Sequence, residues 1–182
     1  VALEMGYRPN AAAQATRNGR FGNFTLMISK ENRNLFLPPG LVRQLELACS
    51  NEGARLMIGE APDAAMTDPD QAPRVFRELA TDGLLIDYCG PTPPEMSRLL
   101  EKFAIPAVWV NDKRDRDAVY PDDFDAGRRA TQTLLDMGHR RIAYLDTAGG
   151  MHYSARDRRG GYLRAMAEVG CEPLAVSLGG DP

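Results

Sequence analysis

Asn23-Phe24-Thr25-Leu26-Met27-Ile28-Ser29 is a nearly continuous apolar run. A run of this length is typical of a β-strand buried on both faces, as the strands of a parallel sheet are. Similar runs return at residues 55–59, 83–87 and 105–110. These four runs predict the strands of one sheet, and the fold of the first part of the chain follows from them.

Segments with apolar residues at helical spacing separate the predicted strands. Helices are expected over about residues 38–51 and 75–80, and again from Met96 to Phe103. Residues 60–71 are rich in Ala, Pro and Asp, and they are predicted to form a loop. Alternating strands and helices with short connections imply an α/β fold, in which helices cover both faces of a parallel sheet.

The alternation continues in the last third of the sequence after a short segment, residues 118–121. A helix is predicted from Ala126 to Met137, closed by Gly138. A strand over residues 141–145 and a helix ending at Gly170 follow. A last strand is predicted over residues 174–178.

Composition places the chain among ordinary globular proteins, with 182 residues, 43% of them hydrophobic and 26% charged. The net charge of −3 is unevenly distributed. The first twenty residues contain three arginines, Arg8, Arg17 and Arg20, and one acidic residue, Glu4. A basic end on an acidic body fits a nucleic-acid contact at one end. No apolar run approaches the roughly 18 residues of a membrane span, and no signal peptide opens the sequence. We therefore expect a cytoplasmic protein without a membrane partner.

The basic end contains a short predicted helix. Asn10 is a good N-cap after Pro9, residues 11–17 form about two turns, and Gly19 ends them. Isolated helices of this length are marginal in water. A small cationic helix of this kind suits a groove lined with phosphates; the alternative is an alanine-rich surface helix.

Patterns typical of enzymes and metal sites are absent from the sequence. There is no G-x-G-x-x-G after the first strand, no phosphate-binding G-x-x-x-x-G-K and no G-x-S-x-G elbow. Of the two histidines, His139 ends a predicted helix, and His152 lies in a loop from which it can reach a ligand. Asp122 and Asp123 precede a helix and are read as N-cap residues. The three cysteines, widely spaced, are read as buried free thiols. We therefore predict no catalytic residue, no cofactor and no metal.

Four segments together resemble the lactose/galactose repressor (LacI/GalR) family of transcriptional regulators. The first is Tyr7-Arg8-Pro9-Asn10-Ala11-Ala12-Ala13 followed by Gly19-Arg20, which is similar to the family's hinge. The others are residues 122–127, residues 134–143 with their Gly-His-Arg-Arg-Ile-Ala core, and residues 154–162 with their Arg-x-x-Gly-Tyr ending.

The resemblance implies a two-lobed periplasmic-binding-protein-like (type I) fold. Residues 1–9 would end a helix-turn-helix headpiece, and residues 10–20 would form the hinge helix and linker. Residues 21–121 would form the N-terminal lobe, and residues 122–182 would start the C-terminal lobe. Because this last segment holds only about two strands and two helices, we expect it to be incomplete, and both ends of the sequence look cut.

The resemblance also implies partners and site residues. The partners are operator DNA, a second copy of the chain and a small effector, commonly a sugar, bound between the lobes. The expected DNA contacts are Asn10, Ala13, Thr16 and Arg17. The expected effector contacts are Phe36, Leu37, Asp87, Asn111 and Arg158.

The sequence departs from the family pattern at three of these places. Thr16 stands where the hinge commonly has a leucine that wedges between base pairs. Leu35-Phe36-Leu37-Pro38 replaces Asn-Pro-Phe-Phe, and Asn111 replaces an acid.

Two alternative functions are a transport-type solute-binding protein, which shares the fold, and a sugar-processing enzyme.

Overall fold

The computed structural model describes residues 17, 19–30, 38–72, 76, 80–87, 92–146 and 152–177. Its larger sheet has five strands in the order β2-β1-β3-β4-β5. The strands are β1 (Asn23–Ser29), β2 (Arg55–Ala61), β3 (Gly83–Asp87), β4 (Ala107–Val110) and β5 (Ala118–Val119). The pairs β1–β2, β1–β3 and β3–β4 are parallel, which confirms the predicted α/β class.

Five helices and a second sheet complete the described elements. The helices are α1 (Pro39–Asn51), α2 (Asp63–Thr67), α3 (Pro94–Lys102), α4 (Asp123–Asp136) and α5 (Tyr153–Glu168). The second sheet pairs β6 (Ala143–Asp146) with β7 (Leu174–Ser177) in parallel. Prolines begin α1 and α3, where the missing N–H costs no helical hydrogen bond.

The strand order places a topological switch point between β1 and β3. The chain goes from β1 to β2 on one side of it and then to β3 on the other side. Ile28 lies opposite Asp87 there, near the carboxyl ends of both strands. Ligands of open α/β sheets bind outside such points. The buried Asp87 therefore lies where the fold alone predicts a ligand.

Two compact units divide the chain, and each has its own core. Unit 1 holds β1 to β4, α1 to α3 and Asp115–Ala118; unit 2 holds Asn111–Arg114 and the chain from Val119 onward. Methionine, leucine and aromatic side chains from one face of the sheet and from helices α2 and α3 fill the core of unit 1. Its fully enclosed members include Met66, Ile86 and Met96.

The core of unit 2 is smaller and centres on Tyr162. The Tyr162 ring stacks on Tyr144 with 5.5 Å between ring centroids. Its hydroxyl donates to the carbonyl of Ile142 at 2.8 Å and accepts from the backbone N–H of Leu174 at 2.6 Å. One buried phenol thus ties α5 to β7 and to the residue that precedes β6, and it satisfies its own polar atom in doing so.

The sequence prediction was wrong for residues 60–71 and set the start of α5 too late. β2 runs on to Ala61, and α2 forms where a loop was expected. Helix α5 begins at Tyr153, although the apolar stripe used to predict it starts only at Tyr162. Both free cysteines among the described residues lack a disulfide, but only Cys49 is buried and Cys171 is half-buried. None of the described helices has the length and apolar character of a membrane span.

Candidate functional site

The candidate site lies in unit 2, where the first turns of α4 and α5 meet the segment that follows β4. Asp122 caps α4, since its carboxylate accepts the backbone N–H of Asp125 at 2.9 Å. This confirms the N-cap interpretation for Asp122. The neighbouring Asp123 is instead buried, with 5% of its surface exposed. The two adjacent carboxylates therefore have different roles.

Glycines allow α4 and α5 to cross with their backbones in contact. A methyl group at Gly127 would overlap the carbonyl of Arg158, and one at Gly161 would overlap the carbonyl of Phe124. Gly160 faces the Phe124 ring, which a methyl group would approach to 3.3 Å. Gly127 and Gly161 are thus required by close packing, and this packing brings the side chain of Arg158 to the first turn of α4.

Arg158 and Asp123 form an ion pair across this crossing. Nη1 of Arg158 lies 3.5 Å from Oδ1 of Asp123, and the arginine side chain is 49% exposed. Oδ2 of Asp123 is buried and has no hydrogen-bond partner within the described part of the chain, while the Tyr153 hydroxyl interacts with the same carboxylate group. A buried carboxylate oxygen is costly to leave unbonded. The half-exposed guanidinium of this pair therefore offers a planar donor to a bound molecule.

A chain of hydrogen bonds connects Arg158 to Asn111. Nη2 of Arg158 donates to Oγ of Ser154 at 3.2 Å, and that hydroxyl lies 2.7 Å from Nδ1 of His152. His152 is the N-cap of α5, and its Nδ1 accepts the backbone N–H of Ser154 at 3.3 Å. This acceptor role assigns the ring proton to Nε2, which donates to the carbonyl of Asn111 at 3.1 Å. The structure thus brings together the two residues that the sequence had nominated separately.

Tyr153 places a phenol beside the same residues. Its hydroxyl donates to Oδ1 of Asn111 at 3.3 Å. Burial, followed by the nearby carboxylates of Asp123, Asp112 and Asp157, raises the pKa of Tyr153 to about 12. The phenol therefore keeps its proton at neutral pH and acts as a hydrogen-bond donor. Tyr120 packs edge-on against it, with 6.1 Å between ring centroids.

The lysine and arginine in the segment after β4 are paired within the unit. Nζ of Lys113 donates to Oδ2 of Asp157 at 2.6 Å, which raises the pKa of the Lys113 ammonium. Nε of Arg114 donates to Oδ2 of Asp112 at 2.7 Å. Each cation has a carboxylate partner, so the described part of the site combines paired charges with neutral donors and acceptors.

Asn111 adopts a left-handed conformation with φ of 58°. Asparagine tolerates this region better than most residues because its short amide bonds locally. The backbone N–H of Asn111 donates to the carbonyl of Val119 at 2.8 Å, which fixes the segment to β5. The conformation turns the chain away from β4, and the amide reaches the first turn of α5.

Comparison with known proteins gives this geometry a family. A sequence model described as "Periplasmic binding proteins and sugar binding domain of LacI family" matches residues 44–179. The chain belongs to this family. The transcriptional regulator CelR of Thermobifida fusca is 27% identical over 177 residues, with 93% of this chain and 51% of the relative covered. The ribose operon repressor of Escherichia coli K12 is 28% identical, with 98% and 54% covered.

Solved structures of LacI-family proteins share the fold. The lac repressor dimer bound to operator and the anti-inducer ONPF superposes with a TM-score of 0.70 at 18% identity, with 94% of this chain and 59% of that chain covered. The chain spans about half the length of the curated relatives it matches. The relatives are transcriptional regulators, which supports the regulator interpretation over a transport-type binding protein.

Within this LacI-family chain, the predicted site residues have different outcomes. Asn111 and Arg158 lie in one hydrogen-bonded cluster of unit 2, and Asp87 lies in unit 1 at the end of β3. Phe36 and Leu37 lie outside the described residues, as do the hinge residues Asn10, Ala13 and Thr16. Arg17 is described, helical and exposed. Contact of any of these residues with effector or DNA stays a prediction.

The sequence analysis did not name Asp123, Tyr153 or Ser154 among its individual site residues. Arg158 does not start its helix, where the dipole would disfavour a cation. It lies in the second turn of α5, and His152 occupies the cap. The available signal was the spacing of Ser154 and Arg158, because residues four apart share one helical face.

Among the described residues, no cluster of three metal-ligating side chains occurs.

Proposed function

We propose that the intact protein is a DNA-binding transcriptional regulator whose operator affinity depends on a small hydroxylated effector, such as a sugar. Membership of the LacI family supports the regulator role. The observation that supports the effector role is the polar cluster of unit 2, with Arg158, Asp123 and the Tyr153 phenol in one place. The operator partner implies action in the cytoplasm.

The cluster suits a neutral polyhydroxylated molecule. The half-exposed guanidinium of Arg158 has several donors in a fixed plane, and the half-buried side-chain amide of Asn111 can accept a hydroxyl. The Tyr153 phenol adds an aromatic face. A molecule with adjacent hydroxyl groups can use the donor and the acceptor together. CelR has been solved in complex with cellobiose, which is a molecule of this class.

We propose that an effector acts by linkage. An effector that binds one conformation of the regulator more tightly raises the population of that conformation. Operator affinity changes only by the ratio of the effector's affinities for the two conformations. The effector is therefore expected to change operator affinity, and operator DNA is expected to change effector affinity by the same factor.

The protein is proposed to act as a homodimer through unit 1. Ile58 on the edge strand β2 is 54% exposed, and Leu47 on the neighbouring α1 is exposed as well. A second copy of the chain would cover these apolar side chains. The lac repressor, which shares the fold, has been solved as a dimer bound to operator. Light scattering on the wild type and on Ile58→Asp tests the interface: we expect a dimer and a monomer respectively, and two dimers would contradict it.

Two measurements on the intact gene product test the function itself. Selection from a random DNA pool should yield one preferred sequence, and a thermal-shift screen with neutral sugars should yield a stabilising ligand. That ligand should then change the affinity for the selected DNA. If no DNA sequence is enriched, the protein is not a sequence-specific regulator.

The hinge contact has its own test. Arg17→Ala should weaken binding to all DNA sequences and reduce the salt slope by about one unit, since each phosphate contact releases about one counterion. Arg20→Ala removes the same charge three residues further along the chain and serves as the matched control for Arg17→Ala. An unchanged slope for Arg17→Ala would contradict a contact between Arg17 and a phosphate.

A further inference from the structure

The ring of His152 joins two segments of unit 2 that lie 41 residues apart in the sequence. Its Nδ1 accepts the backbone N–H of Ser154 at 3.3 Å, which caps α5, and its Nε2 lies 3.1 Å from the carbonyl oxygen of Asn111. A carbonyl cannot donate, so Nε2 carries the proton and donates it. Both bonds are made by one planar ring, in which the two nitrogens have a fixed separation. The ring therefore sets the distance between the start of α5 and the residue that follows β4.

Asn111 needs contacts of this kind to keep its conformation. Its φ of 58° is left-handed, which costs energy for a residue with a Cβ atom and persists only where the surroundings hold it. Two backbone bonds do so: the N–H of Asn111 donates to Val119, and its carbonyl accepts from His152. Without the second bond, one backbone bond is left to hold the strained residue. The direction of the Asn111 side-chain amide therefore depends on His152.

Ser154 connects His152 to Arg158 on the other side of the ring. The Ser154 hydroxyl has one proton, and Nδ1 of His152, an acceptor, lies 2.7 Å from its oxygen. The hydroxyl therefore donates to Nδ1, and its oxygen accepts from Nη2 of Arg158 at 3.2 Å. Ser154 is buried, which makes the loss of either bond costly. All protons from Arg158 to Asn111 thus point in one direction along the chain of bonds, an arrangement in which each bond strengthens the next.

We propose that His152 is a positioning residue that determines which sugars the candidate site of unit 2 accepts. The guanidinium of Arg158 offers donors to a hydroxyl group, and the half-buried amide of Asn111 offers an acceptor. The His152 ring fixes the separation and relative direction of these two groups. A sugar binds well when two of its hydroxyl groups match them. This inference rests on the proposed function, since it concerns the effector site of the regulator.

A rigid pair of polar groups can distinguish epimers, which have the same hydroxyl groups and differ in the direction of one. When the partners of a sugar are held in place, the wrong epimer leaves one of them unpaired, and this costs more than the missing contact itself. When the partners can shift, they adapt to both epimers and fit neither well. Removing the bond from His152 to Asn111 should therefore lower the affinity for the preferred sugar and reduce the preference over its epimer.

Two replacements of His152 in the intact gene product separate its two bonds. His152→Asn places an amide oxygen near the position of Nδ1 and suits an N-cap, but its side chain is too short to reach Asn111. His152→Gln extends an amide N–H₂ toward the position of Nε2, so it keeps a donor for the Asn111 carbonyl and gives up the cap. His139→Asn, the same change at the exposed histidine after α4, is the matched control.

Calorimetric titration with three pairs of epimers measures affinity and preference: glucose and galactose, ribose and arabinose, cellobiose and lactose. Thermal unfolding without sugar measures stability. For His152→Asn we expect the dissociation constant of the preferred sugar to rise about tenfold, as the loss of one orienting hydrogen bond implies, and the preference over its epimer to shrink. Its transition temperature should stay within about 2 °C of the wild type, because the cap is kept.

His152→Gln should show the opposite pattern, with affinity and preference close to those of the wild type and a lower transition temperature. His139→Asn should match the wild type in both measurements. Opposite patterns in the two His152 variants are the informative result, since a residue that only caps its helix would change affinity and stability together.

Unchanged affinity and preference in His152→Asn would overturn the proposal, as would parallel losses of affinity and stability in both His152 variants. A wild type that binds both epimers of a pair equally well would also overturn it. If His152→Asn shows no cooperative unfolding, His152→Ser replaces it, because serine also caps helices and does not reach Asn111. A wild type that binds none of these sugars refutes the proposed sugar effector and this inference together, whereas a selective wild type with an equally selective His152→Asn refutes this inference alone.

Discussion

Unit 1 encloses a sheet, whereas unit 2 organises its site on a crossing of two helices. In unit 1, β1 is buried from Thr25 to Ser29, and four of the five residues of β3 are buried. In unit 2, Leu145 of β6 and Leu174 of β7 are more than half exposed, and most of the buried residues lie on α4 and α5. Unit 2 therefore depends on its helix crossing as unit 1 depends on its sheet.

This difference between the units means that stability and the geometry of the candidate site depend on different kinds of packing. Replacing one side chain in a well-covered sheet leaves its other neighbours in place. Two helices that meet backbone to backbone have no side chain between them that could adjust. The residues of the candidate site, Asp123 and Arg158, come from these two helices. A small displacement of the crossing is therefore expected to disturb the site directly.

The largest expected effect is that of Gly161→Ala. Its methyl group would overlap the backbone of Phe124 and Arg128, so the helices must separate, at a cost of about 3 kcal/mol. Gly40→Ala in α1 meets no atom and should change the free energy of unfolding by less than about 1 kcal/mol.

Two probes can tell the units apart in these variants. Trp109 is the single tryptophan and lies in the core of unit 1, so its fluorescence reports that unit. Far-ultraviolet circular dichroism reports both. In Gly161→Ala the circular dichroism transition should move to lower denaturant concentration ahead of the fluorescence transition. Coincident transitions would show that the two units unfold together, so that the effect of Gly161→Ala is not confined to unit 2.

Next in size is the effect of Arg158→Lys on effector binding. Lysine keeps the charge but loses the planar set of donors that contacts Asp123 and Ser154. Affinity for the effector found by thermal shift should fall by about tenfold, as the loss of charge-assisted hydrogen bonds implies. DNA affinity without effector should hardly change. Arg159→Lys, an exposed neighbour, is the control, and equal effector affinities in both variants would remove Arg158 from the site.

A smaller gain in stability is expected in unit 1 from Ala104→Gly. Ala104 follows α3 in a left-handed conformation with φ of 50°, where a Cβ atom is unfavourable. Glycine relieves this strain but adds freedom to the unfolded chain, so a net stabilisation of about 0.5–1 kcal/mol is expected. Ala107→Gly, in β4, should destabilise. Chemical unfolding followed by Trp109 fluorescence measures both, and a destabilised Ala104→Gly would contradict the prediction.

The last prediction is a pH dependence from Tyr153, confined to alkaline pH. Its ordinary pKa of 10.0 is raised to about 12 in the fold, so the folded state holds the phenolic proton more tightly than the unfolded chain. The resulting stability is fully present below about pH 10 and is lost as the pH rises through 12. The difference in unfolding free energy between wild type and Tyr153→Phe should shrink over that range. A constant difference would mean that the phenol is not perturbed by burial and its carboxylate neighbours.

Regular strands and long helices were predictable from local pattern. β3 was predicted with the bounds that the structure gives, because an apolar run between Gly83 and Asp87 leaves few alternatives. α2 was missed because five residues without a side-chain cap bond carry too little periodicity to detect. The start of α5 was missed because its first turns hold polar residues whose roles are contacts elsewhere in unit 2.

The candidate site shows the same limit. The sequence nominated Asn111 and Arg158 through family resemblance. It did not nominate Asp123 or Tyr153, whose importance depends on what lies opposite them. Only the approach of α4 and α5 at Gly127 and Gly161 shows which of two adjacent carboxylates meets Arg158.

By itself the sequence determined the α/β class, the order of strands and helices, and the family, because apolar periodicity and short motifs are local properties of a chain. Tertiary structure alone decided the burial of Asp123, the chain of bonds from Arg158 to Asn111, and the grip of Asp82 on Phe21 and Gly22. Each depends on at least one contact between residues that are distant in sequence. Their energies depend on separation in space and on burial, which no local pattern encodes.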